Sequence, residues 1–193
     1  MASLTKSSAR RHEPKRSSIM REVEIPPVGL AGVLYVPGGA RSLVVFAHGS
    51  GSSRFSARNR AVADALNDRR IGTLLFDLLT SQEEASRANV FDIALLAQRL
   101  VDAVRFIDLD PALSRLSLGL FGASTGAAAA LAASARLDGR IGAIVSRGGR
   151  PDLAGDILDQ IRTPTLLIVG GADFGVIELN RQALARLQGP KAM

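Results

Sequence analysis

Residues 116–136 read LSLGLFGASTGAAAALAASAR, and this stretch decides the fold. It begins with apolar residues typical of a strand and ends in an alanine-rich run typical of a helix. The two parts meet at Gly122-Ala123-Ser124-Thr125-Gly126, which matches the pattern Gly-x-Ser-x-Gly between a strand and a helix. In such a turn the serine takes a positive φ, and only small residues fit two positions before and after it. We therefore predict that Ser124 is a nucleophile at the tip of a strand-to-helix turn.

Apolar, strand-like runs alternate with helix-like segments along the rest of the chain. Such continuous apolar runs are typical of a parallel sheet that is covered on both faces. Pro26-Pro27 separates two early runs, 21–25 and 30–36, which predict an antiparallel edge hairpin because proline cannot serve a central ladder. The sequence thus predicts an α/β fold with an open, mostly parallel sheet and helices on both faces. The further predicted strands are 43–47, 71–76, 116–121, 141–145 and 165–169, and the predicted helices are 56–69, 89–107, 124–136 and 176–188.

Length and composition narrow the classes of function. The 193 residues predict one domain, and the absence of Cys together with only two His argues against disulfides, thiol nucleophiles and metal sites. Of the residues behind the net charge of +6, five basic residues and one acidic residue lie within 1–20. We predict a basic flexible tail over 1–20 and one domain over 21–193 that is nearly neutral. With eight aromatic residues and no Trp, we expect no nucleic-acid partner, and we expect no cofactor.

Targeting signals are also missing from the sequence. The tail has no apolar core of the kind found in signal peptides, and no apolar run is long enough to span a bilayer. We therefore expect a cytoplasmic protein with no membrane partner. Met20 directly precedes the first strand, so both Met1 and Met20 stay open as the start of the chain.

Two predicted donors would stabilise an oxyanion beside Ser124. The first is the N–H of Thr125, at the start of the helix that follows the nucleophile. The second comes from the loop after the first parallel strand, which reads His48-Gly49-Ser50-Gly51. Either Gly49 or Ser50 can present this second N–H, and Ser50 is favoured because it follows the His-Gly pair.

A carboxylate is predicted where the strand at 165–169 ends. The chain continues there with Gly170-Gly171-Ala172-Asp173, so Asp173 is the candidate for an acid that orients a histidine and stabilises its imidazolium form. The alternative is that Asp173 merely forms a turn. Asp77 and Asp152 are lesser candidates, because each follows a strand without a glycine-rich setting.

Charged residues in the loops on the same side of the sheet are candidates for substrate binding. Arg54, Arg147 and Arg150 would suit an anionic substrate group, and solvated surface charge is the alternative. His48 is a further candidate for substrate binding, and it is expected to be a hydrogen-bonded structural residue rather than a proton shuttle. A Gly-x-Gly phosphate cradle at Gly49 is a competing interpretation, but Arg54 stands where that fingerprint needs its third glycine.

Five segments together resemble the dienelactone hydrolase-like branch of the α/β-hydrolase superfamily, over about residues 21–193. The resemblance implies Ser124 as nucleophile, Asp173 as triad acid, and a small ester or lactone as substrate. Fewer than 20 residues lie between Val145 and Pro164, so we expect no large lid and an open, shallow site for small esters, thioesters or lactones. Similar domains also occur fused behind phosphoribosyltransferase-like domains, which would make the basic tail a linker remnant. The segments are AHGSGSS at 47–53, FDLL at 76–79, FGASTGAAAA at 121–130, SRGGRPDL at 146–153 and PTLLIVGGAD at 164–173.

The sequence departs from this family at two points. Dienelactone hydrolases proper have Cys as the nucleophile, where this chain has Ser124. No His follows Asp173, whereas a complete member continues into a last strand, a turn with the catalytic His and a final helix. We expect a serine hydrolase truncated before its last strand, with impaired activity and self-association through the uncovered sheet edge. A catalytically silent binding module, or a base from a second subunit, are the alternatives.

Overall fold

The computed structural model describes residues 17–193, and its strands form one sheet. The strands are β1 (Ile19–Ile25), β2 (Leu30–Val36), β3 (Ser42–Ala47), β4 (Gly72–Phe76), β5 (Ser117–Ala123), β6 (Ile141–Arg147), β7 (Thr165–Ile168) and β8 (Lys191–Ala192). Their spatial order is β1-β2-β4-β3-β5-β6-β7-β8. The β1–β2 and β2–β4 pairs are antiparallel and all other pairs are parallel. This confirms the predicted α/β architecture and its edge hairpin.

The helices connect the parallel strands. They are α1 (Ala57–Asn67), α2 (Ser81–Glu84), α3 (Arg87–Val90), α4 (Ile93–Leu109), α5 (Thr125–Arg136) and α6 (Phe174–Arg186), with a 3-10 segment at Pro151–Gln160. The sequence predicted one helix over 89–107, but the structure divides it between α3 and α4. Asp92 lies at the division, and its side chain caps α4 by accepting a hydrogen bond of 2.9 Å from Leu95 N. None of the helices in residues 17–193 has the length and apolar character needed to cross a membrane.

The two faces of the sheet are covered to different extents. One face packs on α4, α5 and α6 and contains most of the core, including the fully buried Leu100, Leu120 and Leu131. The other face packs on α1 around Phe46 and Phe121, whose ring centroids are 5.0 Å apart. Helices therefore lie on both faces, as predicted. The nucleophile candidate Ser124 directly follows β5, which lies between β3 and β6 in the interior of the sheet.

The ends of the sheet differ from the prediction. At one edge, β1 begins at Ile19, so the last residues of the predicted tail belong to a strand; residues 1–16 of that tail lie outside the described residues. At the other edge, Lys191–Ala192 pair in parallel with Thr165–Leu166. Two residues of a further strand therefore lie beside β7, and the expected truncation of the domain stays a prediction. The sequence PKAM is too short to show the periodicity of a strand, and only pairing with β7 identifies it.

The self-association expected from the sequence stays a prediction, and the structure offers a surface for it. Leu166 and Ile168 alternate along β7 with the buried Leu167, so they share one face of the sheet, and they are 40% and 46% exposed. We expect light scattering during gel filtration to detect dimers at high concentration, and Leu166→Ser with Ile168→Ser to reduce them. Leu109→Ser, at the exposed end of α4, is the control. A monomer at every concentration would contradict the prediction.

Acid should weaken the fold partly through Glu83. Its carboxylate accepts a hydrogen bond of 2.9 Å from Thr80 N and pairs with Arg99 at 2.6 Å, and these contacts hold its pKa below the ordinary 4.5. A lowered carboxyl pKa contributes stability above pH 4.5, and this contribution disappears as the pH falls through the folded-state pKa. We expect Glu83→Gln to lower the free energy of unfolding by about 1 kcal/mol at pH 7. In urea titrations the difference from wild type should shrink as the pH falls below 4.5 and vanish below the folded-state pKa, while the exposed Glu84→Gln should leave stability unchanged.

Candidate active site

Ser124 occupies the tight turn that the sequence predicted. It lies between β5 and α5 with φ 51° and ψ −125°, a backbone conformation that residues with a side chain rarely adopt. The glycines on either side leave no space for a Cβ atom. A Cβ on Gly122 would lie 2.4 Å from Ala127 Cα, and one on Gly126 would lie 2.2 Å from the Ala47 carbonyl oxygen. The turn therefore presses α5 against β5 and β3 and presents the half-buried Ser124 at the end of the sheet.

A loop after β6 holds this turn from the other side. The Ser124 carbonyl accepts hydrogen bonds from Arg150 N at 3.0 Å and from Ala127 N at 3.1 Å. The neighbouring Gly149 carbonyl accepts a bond of 3.0 Å from Nδ2 of Asn180, a fully buried residue of α6. Asn180 thus positions the loop that holds Ser124. The sequence analysis missed Asn180, because a single polar residue on a helix gives no sign of what it contacts.

The predicted oxyanion donors lie close together beside the first turn of α5. Gly49 is so near the nucleophile that a Cβ on it would lie 2.7 Å from Ser124 Cβ. The Thr125 N–H belongs to the first turn of α5, where amides lack a partner inside the helix. The favoured Ser50 N–H, however, donates to Thr125 Oγ1 at 3.1 Å. The hydrogen bond from Ser50 N–H to Thr125 Oγ1 must therefore break before this N–H can donate to a substrate oxygen.

His48 is buried, and both of its ring nitrogens contact the backbone. It is 6% exposed, its Nε2 accepts a hydrogen bond of 3.1 Å from Leu78 N, and its Nδ1 lies 3.0 Å from the Gly49 carbonyl oxygen. This pattern requires the neutral ring with its proton on Nδ1. Since both ring nitrogens are engaged within the chain, His48 fixes the loop beside Ser124 and has no free nitrogen for a substrate.

The three candidate carboxylates have different surroundings. Asp77 forms an ion pair with Arg54, and Asp152 binds Arg150 through contacts of 2.7 to 3.2 Å. Asp173 is exposed and caps α6 by accepting a bond of 3.3 Å from Val176 N. Within residues 17–193 no hydrogen bond joins Asp173 to an imidazole. Asp77 and Asp152 are therefore engaged by arginines, while Asp173 faces solvent.

Two cavities open on either side of the nucleophile turn. The first, of about 350 Å³, lies between loop 48–53 and the apolar side chains of Leu78, Leu79 and Leu96, and reaches Thr125. The second, of about 440 Å³, is lined by Ser124 itself together with residues from α1 and from the ends of β6 and β7. Open space therefore adjoins the turn at both Thr125 and Ser124.

Two arginines line the second cavity. The Arg147 guanidinium donates to Asn59 Oδ1 at 2.9 Å and lies 5.7 Å from the Phe121 ring centroid. Burial lowers the pKa of Arg147, and the nearby positive charge of Arg58 lowers it further. Of the predicted substrate-binding arginines, Arg147 therefore lines the cavity that contains Ser124, whereas Arg54 and Arg150 are paired with aspartates. The sequence analysis missed Arg58, which resembled a solvated residue of α1.

Comparison with solved structures gives two informative neighbours. A dienelactone hydrolase from Anabaena variabilis ATCC 29413 is 48% identical to this chain and has a TM-score of 0.84, with 92% of this chain and 84% of that chain covered. Est1E from Butyrivibrio proteoclasticus has a TM-score of 0.73 at 14% identity, with 90% and 87% covered, and shares the fold. No protein-family model matches the chain.

Curated relatives come from Mycobacterium tuberculosis. Two proteins, from strains CDC 1551 and H37Rv, are each 56% identical to this chain over 168 residues and carry the provisional name of phosphoribosyl transferase. The match covers 87% of this chain but 38% of each relative. The chain thus spans well under half of the length of these relatives.

Proposed function

The chain belongs to the dienelactone hydrolase family, as its sequence motifs predicted, and from this we propose that it is a serine hydrolase acting on a small ester, thioester or lactone. The nucleophile is Ser124, and the reaction passes through an acyl intermediate on its Oγ. The phosphoribosyl transferase name is not carried over, because the match covers only 38% of those relatives.

The strained turn at Ser124 is the observation that carries this proposal. A non-glycine residue at φ 51° costs on the order of 1–3 kcal/mol, and such strain persists where it serves a function. The turn exposes the hydroxyl at the end of the sheet and directs the first amides of α5 to the same point. Both features suit attack on a carbonyl carbon followed by stabilisation of the resulting oxyanion.

The reaction then proceeds in two stages. Ser124 Oγ forms a bond to the carbonyl carbon and gives its proton to a base, while the carbonyl oxygen becomes an oxyanion near Thr125 N–H. The bond to the leaving alcohol or thiol breaks and that group takes up the proton. Water next attacks the acyl carbon, releasing the acid and restoring the Ser124 hydroxyl. Asp173 keeps its proposed role as the carboxylate that orients the base.

A specific observation also favours a second candidate, a catalytically silent binding module. His48 is the single histidine of residues 17–193, and both of its ring nitrogens are engaged. The described residues therefore place no free imidazole next to Ser124. Without a base the hydroxyl is a weak nucleophile, so the fold would retain binding without turnover.

Labelling with a fluorophosphonate distinguishes the two candidates. An activated Ser124 displaces fluoride from phosphorus, so we expect one adduct in the intact mass and its location in the peptide 116–136. The other serines of that peptide, Ser117 and Ser134, serve as internal controls. A folded chain with no adduct, under conditions that label a known serine hydrolase, would refute the hydrolase and favour the binding module.

A further inference from the structure

The arginines around the nucleophile fall into two groups. Arg54 and Arg150 each form an ion pair with an aspartate. Arg147 and Arg58 line the cavity that contains Ser124, and neither forms an ion pair within residues 17–193. Two positive charges therefore remain uncompensated beside the nucleophile.

Two contacts hold the Arg147 guanidinium in a fixed orientation, which is what a binding group requires. Its Nη2 donates to Asn59 Oδ1 at 2.9 Å, and Asn59 is 2% exposed. Its guanidinium carbon lies 5.7 Å from the centroid of the Phe121 ring, within the range of cation–π attraction. These contacts fix the guanidinium while its Nε, which is buried, has no hydrogen-bond partner in the described part of the chain.

This arrangement of charges and donors costs free energy. A buried donor without a partner loses its hydration, and a second cation nearby adds repulsion. Both effects lower the pKa of Arg147, burial being the larger. The other residues that line the cavity do not compensate these positive charges, because none of them is acidic. They are Ala123, Ser124, Gly148, Ile168, Val169 and Gly170.

We propose that Arg147 and Arg58 bind an anionic oxygen group, a carboxylate or a phosphate, carried by the substrate on the β6–β7 side of Ser124. A guanidinium presents parallel N–H donors that match two oxygens of such a group. Bound there, the anion would compensate both charges and accept hydrogen bonds from the outer guanidinium N–H groups. The inference rests on the proposed function in naming the substrate class, whereas anion binding itself does not require turnover.

Anion binding is tested first, without catalysis. Titration calorimetry of the chain with inorganic phosphate and with acetate, at constant ionic strength set by chloride, should show saturable binding of at least one of them. Arg147→Gln and Arg58→Gln should each weaken that binding by about tenfold. Arg60→Gln, on the exposed side of the same helix, is the control and should bind like wild type. Which anion binds more tightly identifies the group.

Hydrolysis then tests the placement of the anion. Two p-nitrophenyl esters of similar length are compared, one ending in a carboxylate and one in a methyl group. Arg147→Gln should lower kcat/KM for the anionic ester about tenfold more than for the neutral ester. Arg147→Lys, which keeps the charge but loses the planar fork, should lie between.

The outcomes separate the two proposals. Absence of anion binding in a folded wild-type chain, or equal loss with Arg60→Gln, overturns the anion site even if neutral esters are hydrolysed. Anion binding that requires Arg147, without hydrolysis of either ester, supports the site and refutes the hydrolase. If Arg147→Gln does not fold, the exposed Arg58→Gln provides the same test.

Discussion

Ser124→Ala is expected to abolish the fluorophosphonate adduct completely. Oγ is the atom that forms the covalent bond, and no other hydroxyl shares its position at the strained turn between β5 and α5. Hydrolysis of small esters should fall to the level that oxyanion stabilisation and binding can support, on the order of 10³–10⁴ above the reaction in water. Intact-mass spectrometry and initial rates measure the two losses.

Two companion variants make this result specific. Ser50→Ala removes a neighbouring hydroxyl but keeps the backbone N–H of loop 48–53, so labelling should continue. Ser124→Gly should also lose the adduct, yet raise the free energy of unfolding by roughly 1 kcal/mol, because glycine adopts φ 51° without strain. Ser124→Ala keeps the strain and should show no such gain. Persistence of the adduct in Ser124→Ala would refute Ser124 as the nucleophile.

Gly126→Ala is expected to destabilise the fold severely, although alanine in a helix normally stabilises by about 1 kcal/mol relative to glycine. Its Cβ would lie 2.2 Å from the Ala47 carbonyl oxygen and 2.5 Å from that of His48. Both oxygens belong to the backbone at the end of β3, so neither can rotate away. We expect the free energy of unfolding to fall by at least about 3 kcal/mol, or no folded chain to accumulate.

Gly170→Ala is the matched control for that substitution. A Cβ on Gly170 meets no atom within 4 Å, and its φ is not positive. Urea unfolding followed by circular dichroism should therefore give nearly the wild-type midpoint for Gly170→Ala and a much lower one for Gly126→Ala. Similar midpoints would show that α5 can move away from β3, and the close packing would not be what maintains the turn.

Local patterns in the sequence predicted most of the fold. Continuous apolar runs between amphipathic segments predicted the parallel sheet, and the glycines at 122 and 126 predicted the turn at Ser124. These features depend on the preferences of residues that are close together in the chain, so the sequence predicts them without knowledge of the tertiary structure. The division between α3 and α4 and the short β8 were missed, because one is set by a single capping side chain and the other by pairing with a distant strand.

The sequence by itself determined which residue types gather around Ser124: a nucleophile, backbone donors, carboxylates and arginines at the ends of parallel strands. Only the tertiary structure decided which of these side chains already have a hydrogen-bond or ion-pair partner within the described residues. Arg54 pairs with Asp77, which is 23 positions away in the sequence. The Leu78 N–H donates to Nε2 of His48, which is 30 positions away. Arg147 reaches Asn59 across 88 positions and lies beside Arg58. Such pairings follow from the order of strands in the sheet, which brings together side chains that no local pattern relates.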